Sequence, residues 1–108
     1  MTGAGAGRGC AYRIDLDGLD AAEFLRRLVG AGCALATGID GAAAVGRHRI
    51  TGRSDQEGAV FLDEEGLPMD DEDARFVLGV LLRPGERATV TCLAPGAAAP
   101  ASRITYPS

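Results

Sequence analysis

Lysine, asparagine and tryptophan are absent from these 108 residues, histidine occurs once, at His48, and cysteine only at Cys10, Cys33 and Cys92. Each shortage closes a route to chemistry. With one imidazole and no closely spaced thiols, the chain has few ways to assemble a general base, an activated nucleophile or a transition-metal site. Without lysine there is no P-loop, and the glycine-alanine head over 1–9 follows no strand, as a phosphate-cradling loop would. No run approaches the roughly 18 apolar residues of a membrane span, and the head lacks the apolar block of a signal peptide. These shortages lead to the expectation of a cytoplasmic protein with no membrane partner.

Aromatic residues make up only 5% of the chain, and much of its 46% hydrophobic share is alanine. Alanine buries little area per residue, so the core is expected to be thin and to draw on a few windows such as Phe24 to Val29 and Phe76 to Leu82. The length suits one domain. Basic residues are few and all arginine, and the net charge is −4. Nucleic-acid affinity comes mainly from clustered cations, so a nucleic-acid partner is not expected. Arginine without lysine, beside abundant alanine and glycine, is the composition of a GC-rich coding sequence and carries no chemistry. The cysteines, odd in number and set in apolar surroundings, read as small core residues of a reducing compartment rather than as disulfides or metal ligands.

What is present divides into a flexible head over 1–9, one domain over 10–93, and a Pro/Ala-rich linker over 94–108 with room for a short edge strand from Ser102 to Tyr106. Cys10, Tyr12, Ile14 and Leu16 alternate with polar or small residues, which predicts a strand with one face buried. Asp20 stands three residues before Glu23, a capping-box spacing. With Leu25, Leu28 and Val29 it predicts a helix from about Ala21 to Ala31, with Arg26 and Arg27 on the wet side. Cys33 to Thr37 reads as a short strand, 38–41 as a turn and Ala43 to Thr51 as a strand. The glycine-bounded segment Gly52 to Gly58 then reads as a hairpin connection to a returning strand, Ala59 to Leu62. Asp70 caps a second helix whose stripe is Ala74, Val77, Leu78 and Leu81 and which Pro84-Gly85 ends. Arg87 to Leu93 returns to a period of two, with Ala88, Val90 and Cys92 on one face. The order β-α-β-β-α-β predicts an α+β fold, an open-faced sandwich with two helices on one face of a mainly antiparallel sheet.

Two groups are candidate sites. Asp63, Glu64 and Glu65 with Asp70, Asp71, Glu72 and Asp73 concentrate negative charge and are candidates for docking a basic protein partner. They lack the ligand spacing of a calcium loop, as does 15–20, and no metal or cofactor is expected. Arg47, His48, Arg49 and Arg53 form the basic cluster. In a strand Arg47 and Arg49 share a face and could hold an anion, with His48 pointing the other way. His48 lacks an identifiable orienting carboxylate or nucleophile, so no catalytic residue is assigned. The leading expectation is a non-catalytic interaction or regulatory domain that docks a protein through its acidic surface, a helix face or a sheet edge. A small-molecule or anion-binding domain, or a minor enzyme, centred on the basic cluster is the alternative. A homodimer formed by edge-strand addition is a further expectation.

Two stretches resemble the histidine-containing phosphocarrier family of the sugar phosphotransferase system. Gly18, Leu19 and Ala21 match its Gly-Leu/Ile-His-Ala-Arg-Pro signature, and 77–82 with 88–91 is similar to its regulatory helix and the strand that follows. The resemblance implies an open-faced sandwich and a regulatory docking role. It does not carry over the chemistry. Asp20 stands where the phosphorylated histidine would be, Ala22 replaces the arginine and Glu23 the proline, so phosphocarrier activity is not expected.

Overall fold

A computed structural model of the chain describes residues 10–36, 43–54, 59–93 and 102–107. The strands and helices within them are β1 (Cys10–Asp17), α1 (Ala21–Gly30), β2 (Ala34–Leu35), β3 (Ala44–Val45), β4 (Arg49–Ser54), β5 (Phe61–Leu62), α2 (Asp71–Leu81), β6 (Arg87–Leu93) and β7 (Ser102–Tyr106). Five strands form one sheet in the order β3-β4-β1-β6-β7, every pairing antiparallel, while β2 and β5 form a separate antiparallel pair. The α+β class and the mainly antiparallel sheet match the sequence expectation.

Alternation decides which side of the sheet is covered. Cys10, Tyr12, Ile14 and Leu16 of β1 point inward and are buried, as are Ile50 of β4, Ala88, Val90 and Cys92 of β6 and Ile104 of β7. Phe24 and Leu28 of α1 and Ala74, Leu78 and Leu81 of α2 join them in one hydrophobic cluster, so both helices cover the same sheet face. Neither helix covers the other face, which among the described residues is open.

The helix ends follow from local chemistry. Asp20 and Asp70 each accept a hydrogen bond at 2.8 Å from the backbone N–H three residues on, Glu23 and Asp73 respectively. This satisfies a donor that the first helical turn leaves orphaned. At the far end of α1, Gly32 adopts φ +83°, Gly32 N–H bonds to Val29 C=O and Cys33 N–H to Leu28 C=O, the paired pattern of a Schellman cap. Past α2, Pro84 and Gly85 (φ +88°) turn the chain into β6, with Glu86 N–H bonded to Arg83 C=O.

Several expectations are corrected. The strand expected from Ala43 to Thr51 is broken at 46–48 into β3 and β4, which pair with each other, because Gly46 N–H turns back onto Arg49 C=O at 2.7 Å. Gly52 to Ser54, read as hairpin connection, extends β4, because β1 runs opposite as far as Ser54. The returning strand, reduced to β5, pairs with β2 rather than β4. Val29 and Phe76, counted among core windows, are exposed, whereas Arg27, expected in water, turns inward. Its guanidinium bonds both carboxylate oxygens of Glu86, at 2.6 and 3.1 Å, and also the Leu81 carbonyl and Glu23. It thereby ties α1 to the α2–β6 turn.

The cysteines give the largest correction. Cys10 and Cys92 form a disulfide, with Cα atoms 6.1 Å apart, and only Cys33 is free. The register places Cys92 opposite Tyr12, so Cys10 lies diagonally across from it on the same inward face. A sequence separation of 82 residues conceals a pair that adjacent strands bring side by side. The turn expected at 38–41, most of the connection at 52–58, the head over 1–9 and the linker over 94–100 lie outside the described residues.

Candidate functional site

Four of the seven acidic candidates, Asp63, Glu64, Glu65 and Asp73, line an apolar groove that Asp70, Asp71 and Glu72 do not reach. Its volume is about 430 Å³, and it runs between α2 and the 63–69 segment. Ala31, Cys33, Met69 and Val77 line its floor, Phe76 and Val80 of α2 stand along one wall, and Asp63, Glu64, Glu65 and Asp73 lie at its margin. Phe76 is 73% exposed and Val80 62%. Two helical turns therefore hold a large apolar ridge in water directly beside carboxylates. The setting of Cys33 disfavours its thiolate. Burial pushes its thiol above the ordinary range, and the charges of Glu64 and Asp63 push it further.

Several of these acids also have local work. Asp63 accepts backbone N–H bonds from Glu65 at 2.8 Å and Leu67 at 3.0 Å, which fixes the turn before α2. Asp70 is consumed as a cap. Glu64 packs against Gly32, where an added Cβ would stand 2.7 Å from its Cγ. Asp71 and Glu72 lie in the first turn of α2, where the helix dipole favours them. Among the described residues no cluster of three or more His, Cys, Asp or Glu side chains could hold a metal ion.

The basic cluster is divided. Arg47 and His48 occupy the β3–β4 turn, and their carbonyls accept from Ala21 N–H at 2.7 Å and Leu16 N–H at 2.8 Å, clasping the β1–α1 connection. His48 Nδ1 lies 3.1 Å from the Leu19 carbonyl, which can only accept, so Nδ1 carries the proton. Arg49 and Arg53 lie on β4 instead. Arg49 Nε donates to Asp15 Oδ1 at 2.7 Å, and the other oxygen of Asp15 accepts from Arg13 Nε at 2.8 Å.

Arg49 and Arg53 belong to a larger surface. The register stacks the outward residues of four strands into rows: Arg53, Ala11 and Leu93; then Thr51, Arg13, Thr91 and Arg103; then Arg49, Asp15, Thr89 and Thr105; and last Asp17 and Arg87. Arginines from every one of these strands meet on the open face. Arg13, Arg87 and Arg103 were missed in the sequence because each is isolated there, and only strand pairing makes them neighbours. The signal that could have found them was the period of two, which puts 13, 87 and 103 on the polar side of their strands.

Comparison with protein-family models, with curated proteins and with solved structures finds no match. The likeness to the phosphocarrier family rests on the residues of the two stretches alone. Asp20, at the position of that family's histidine, serves here as the cap of α1.

Proposed function

We propose that the protein is a small non-catalytic interaction domain that docks a basic amphipathic segment of a protein partner in the groove beside α2. The observation that carries this reading is Phe76, 73% exposed on a helix whose neighbours across the groove are Asp63, Glu64 and Glu65. Burying a phenylalanine side chain contributes roughly 1.5–3 kcal/mol, and an aromatic at the centre of a groove is a common anchor of binding energy. The carboxylates add direction. They raise the encounter rate of a cationic segment and disfavour an acidic one, so affinity falls as salt is added. A segment with one large apolar anchor flanked by arginine or lysine complements both features.

A cytoplasmic setting is a separate proposal. Among the described residues no helix is long and apolar enough to cross a membrane. The Cys10–Cys92 disulfide, however, removes the argument for a reducing compartment that unpaired thiols supplied.

Peptide-display selection on the immobilised full chain tests the docking reading, with Phe76→Ser as counter-target. Enrichment of peptides that pair an apolar anchor with flanking cations, bind less tightly at high salt and do not bind Phe76→Ser is the expected result. Selection of peptides without cations, or of peptides that bind Phe76→Ser equally well, overturns it.

A further inference from the structure

The centre of the open sheet face carries a site that the docking reading does not use. Thr91 of β6 points outward yet is only 6% exposed, and its hydroxyl has no hydrogen-bond partner among the described residues. Buried polar groups are nearly always paired, and an unpaired one calls for an explanation. Thr91 lines a cavity of about 330 Å³ together with Arg13, Thr51 and Arg103. Arg13 stands directly opposite it on β1 and Arg103 directly opposite on β7. Neighbouring strands lie about 4.8 Å apart, so the two arginine backbones straddle Thr91 at about 10 Å, within reach of a single small ligand.

We propose that Arg13, Thr91 and Arg103 form a binding site for a phosphoryl oxyanion. The chemistry of the row is one-sided. Two guanidinium forks that can only donate flank a hydroxyl free to donate, and the row contains no carboxylate. Asp15, in the neighbouring row, engages Arg13 through Nε at 2.8 Å, which orients the fork and leaves its terminal nitrogens for a ligand. Guanidinium groups bind phosphate and carboxylate in the same bidentate manner. Donors converging from three strands suit the several oxygens of a phosphoryl group better than the two of a carboxylate. Arg53, on a flanking row, adds positive charge beside the site although the whole chain is acidic, whereas Arg49 is engaged by Asp15.

The test is an amide-correlation NMR titration of the full chain with sodium phosphate, against sodium chloride at matched ionic strength. Saturable shifts at Arg13, Thr91 and Arg103 are expected with phosphate and not with chloride. Thr91→Val and Arg103→Gln should each weaken binding about tenfold or more, while Arg83→Gln, on the far turn, should leave it unchanged. Thr91→Val keeps the side-chain shape and removes the unpaired hydroxyl, so its melting temperature should rise while binding falls, a combination that unfolding cannot produce. O-phosphoserine distinguishes the sources of the group: tighter binding assigns the site to phosphate esters, and equal binding to the free anion. Four results overturn the proposal: no saturation by about 50 mM phosphate, where even a weak millimolar site fills; equal shifts with chloride; acetate binding as tightly as phosphate; or full affinity in Arg103→Gln.

Discussion

The two broad faces of the molecule are built by opposite rules. Around α2, charge comes from contiguous runs, 63–65 and 70–73, which turn geometry and the helix dipole hold together beside an apolar ridge. On the open sheet face, charge comes mainly from single arginines far apart in sequence, collected by alternation and register onto one surface with threonines and the two carboxylates Asp15 and Asp17 between them. A net charge of −4 describes neither face. It measures the sum, whereas recognition depends on what a partner meets within a Debye length of about 8–10 Å. The helical side offers an apolar anchor framed by carboxylates and the sheet side a donor-rich platform, so they suit different ligands.

The sharpest way to separate a structural face from a binding face uses two phenylalanines. Phe24 is fully buried, with its ring centroid 6.4 Å from that of Phe61 in the layer between helices and sheet. Phe24→Ala should cost about 3–5 kcal/mol, the lost transfer energy plus the cavity left behind. Phe76→Ala should change stability by no more than about 0.5 kcal/mol, as for a surface site without packing partners. Urea denaturation of both variants measures the contrast. A loss in Phe76→Ala comparable with that in Phe24→Ala would make the α2 ridge part of the core.

The disulfide lies beneath the sheet face and bears on it more than on the groove. It links β1 to β6, the strands that carry Arg13 and Thr91 on their outer side. Cross-linking residues so far apart in sequence restricts the unfolded chain, and its removal should cost about 2–4 kcal/mol. Unfolding with and without reductant, repeated on Cys10→Ser, gives that figure. Hydrogen exchange then sharpens the comparison: amides of β1 and β6 should lose protection on reduction before those of α2. Equal loss across both regions would show that the two faces stand or fall as one unit.

Features written in local residue order were legible in the sequence. β1, α1, α2 and β6 fall within one or two residues of the predicted spans, because caps, a stripe or a strict alternation marks each of them, and β7 takes the place where only room for an edge strand was expected. The Asp20 and Asp70 caps are of this kind. What was not legible depends on which strands become neighbours. Arg47 and Arg49 looked like one cluster in a continuous strand, but the turn at 46–48 separates them. Cys10 and Cys92 looked isolated until register placed them diagonally across adjacent strands. The acidic run was visible as charge. The groove it borders was not, since that requires knowing that Phe76 faces away from the stripe of Ala74, Leu78 and Leu81.

The smallest effect concerns the joint that holds α1 to the α2–β6 turn and so fixes the helical face against the sheet. The hydrogen bonds from Arg27 hold the Glu86 carboxyl below its ordinary range, and the Arg83 N–H, at 2.7 Å, adds to this. A carboxyl whose folded pKa is depressed favours the folded state when ionised. Its contribution is fully present above the ordinary glutamate range and is lost as the pH falls through the lower, folded value. Wild type and Glu86→Gln should therefore differ in urea midpoint at neutral pH and converge in acid, with added salt narrowing the gap because the pair is partly open to solvent. A gap that persists undiminished in strong acid would mean that Glu86 acts through packing and neutral hydrogen bonds. The joint between the two faces would then be insensitive to charge, although each face is defined by it.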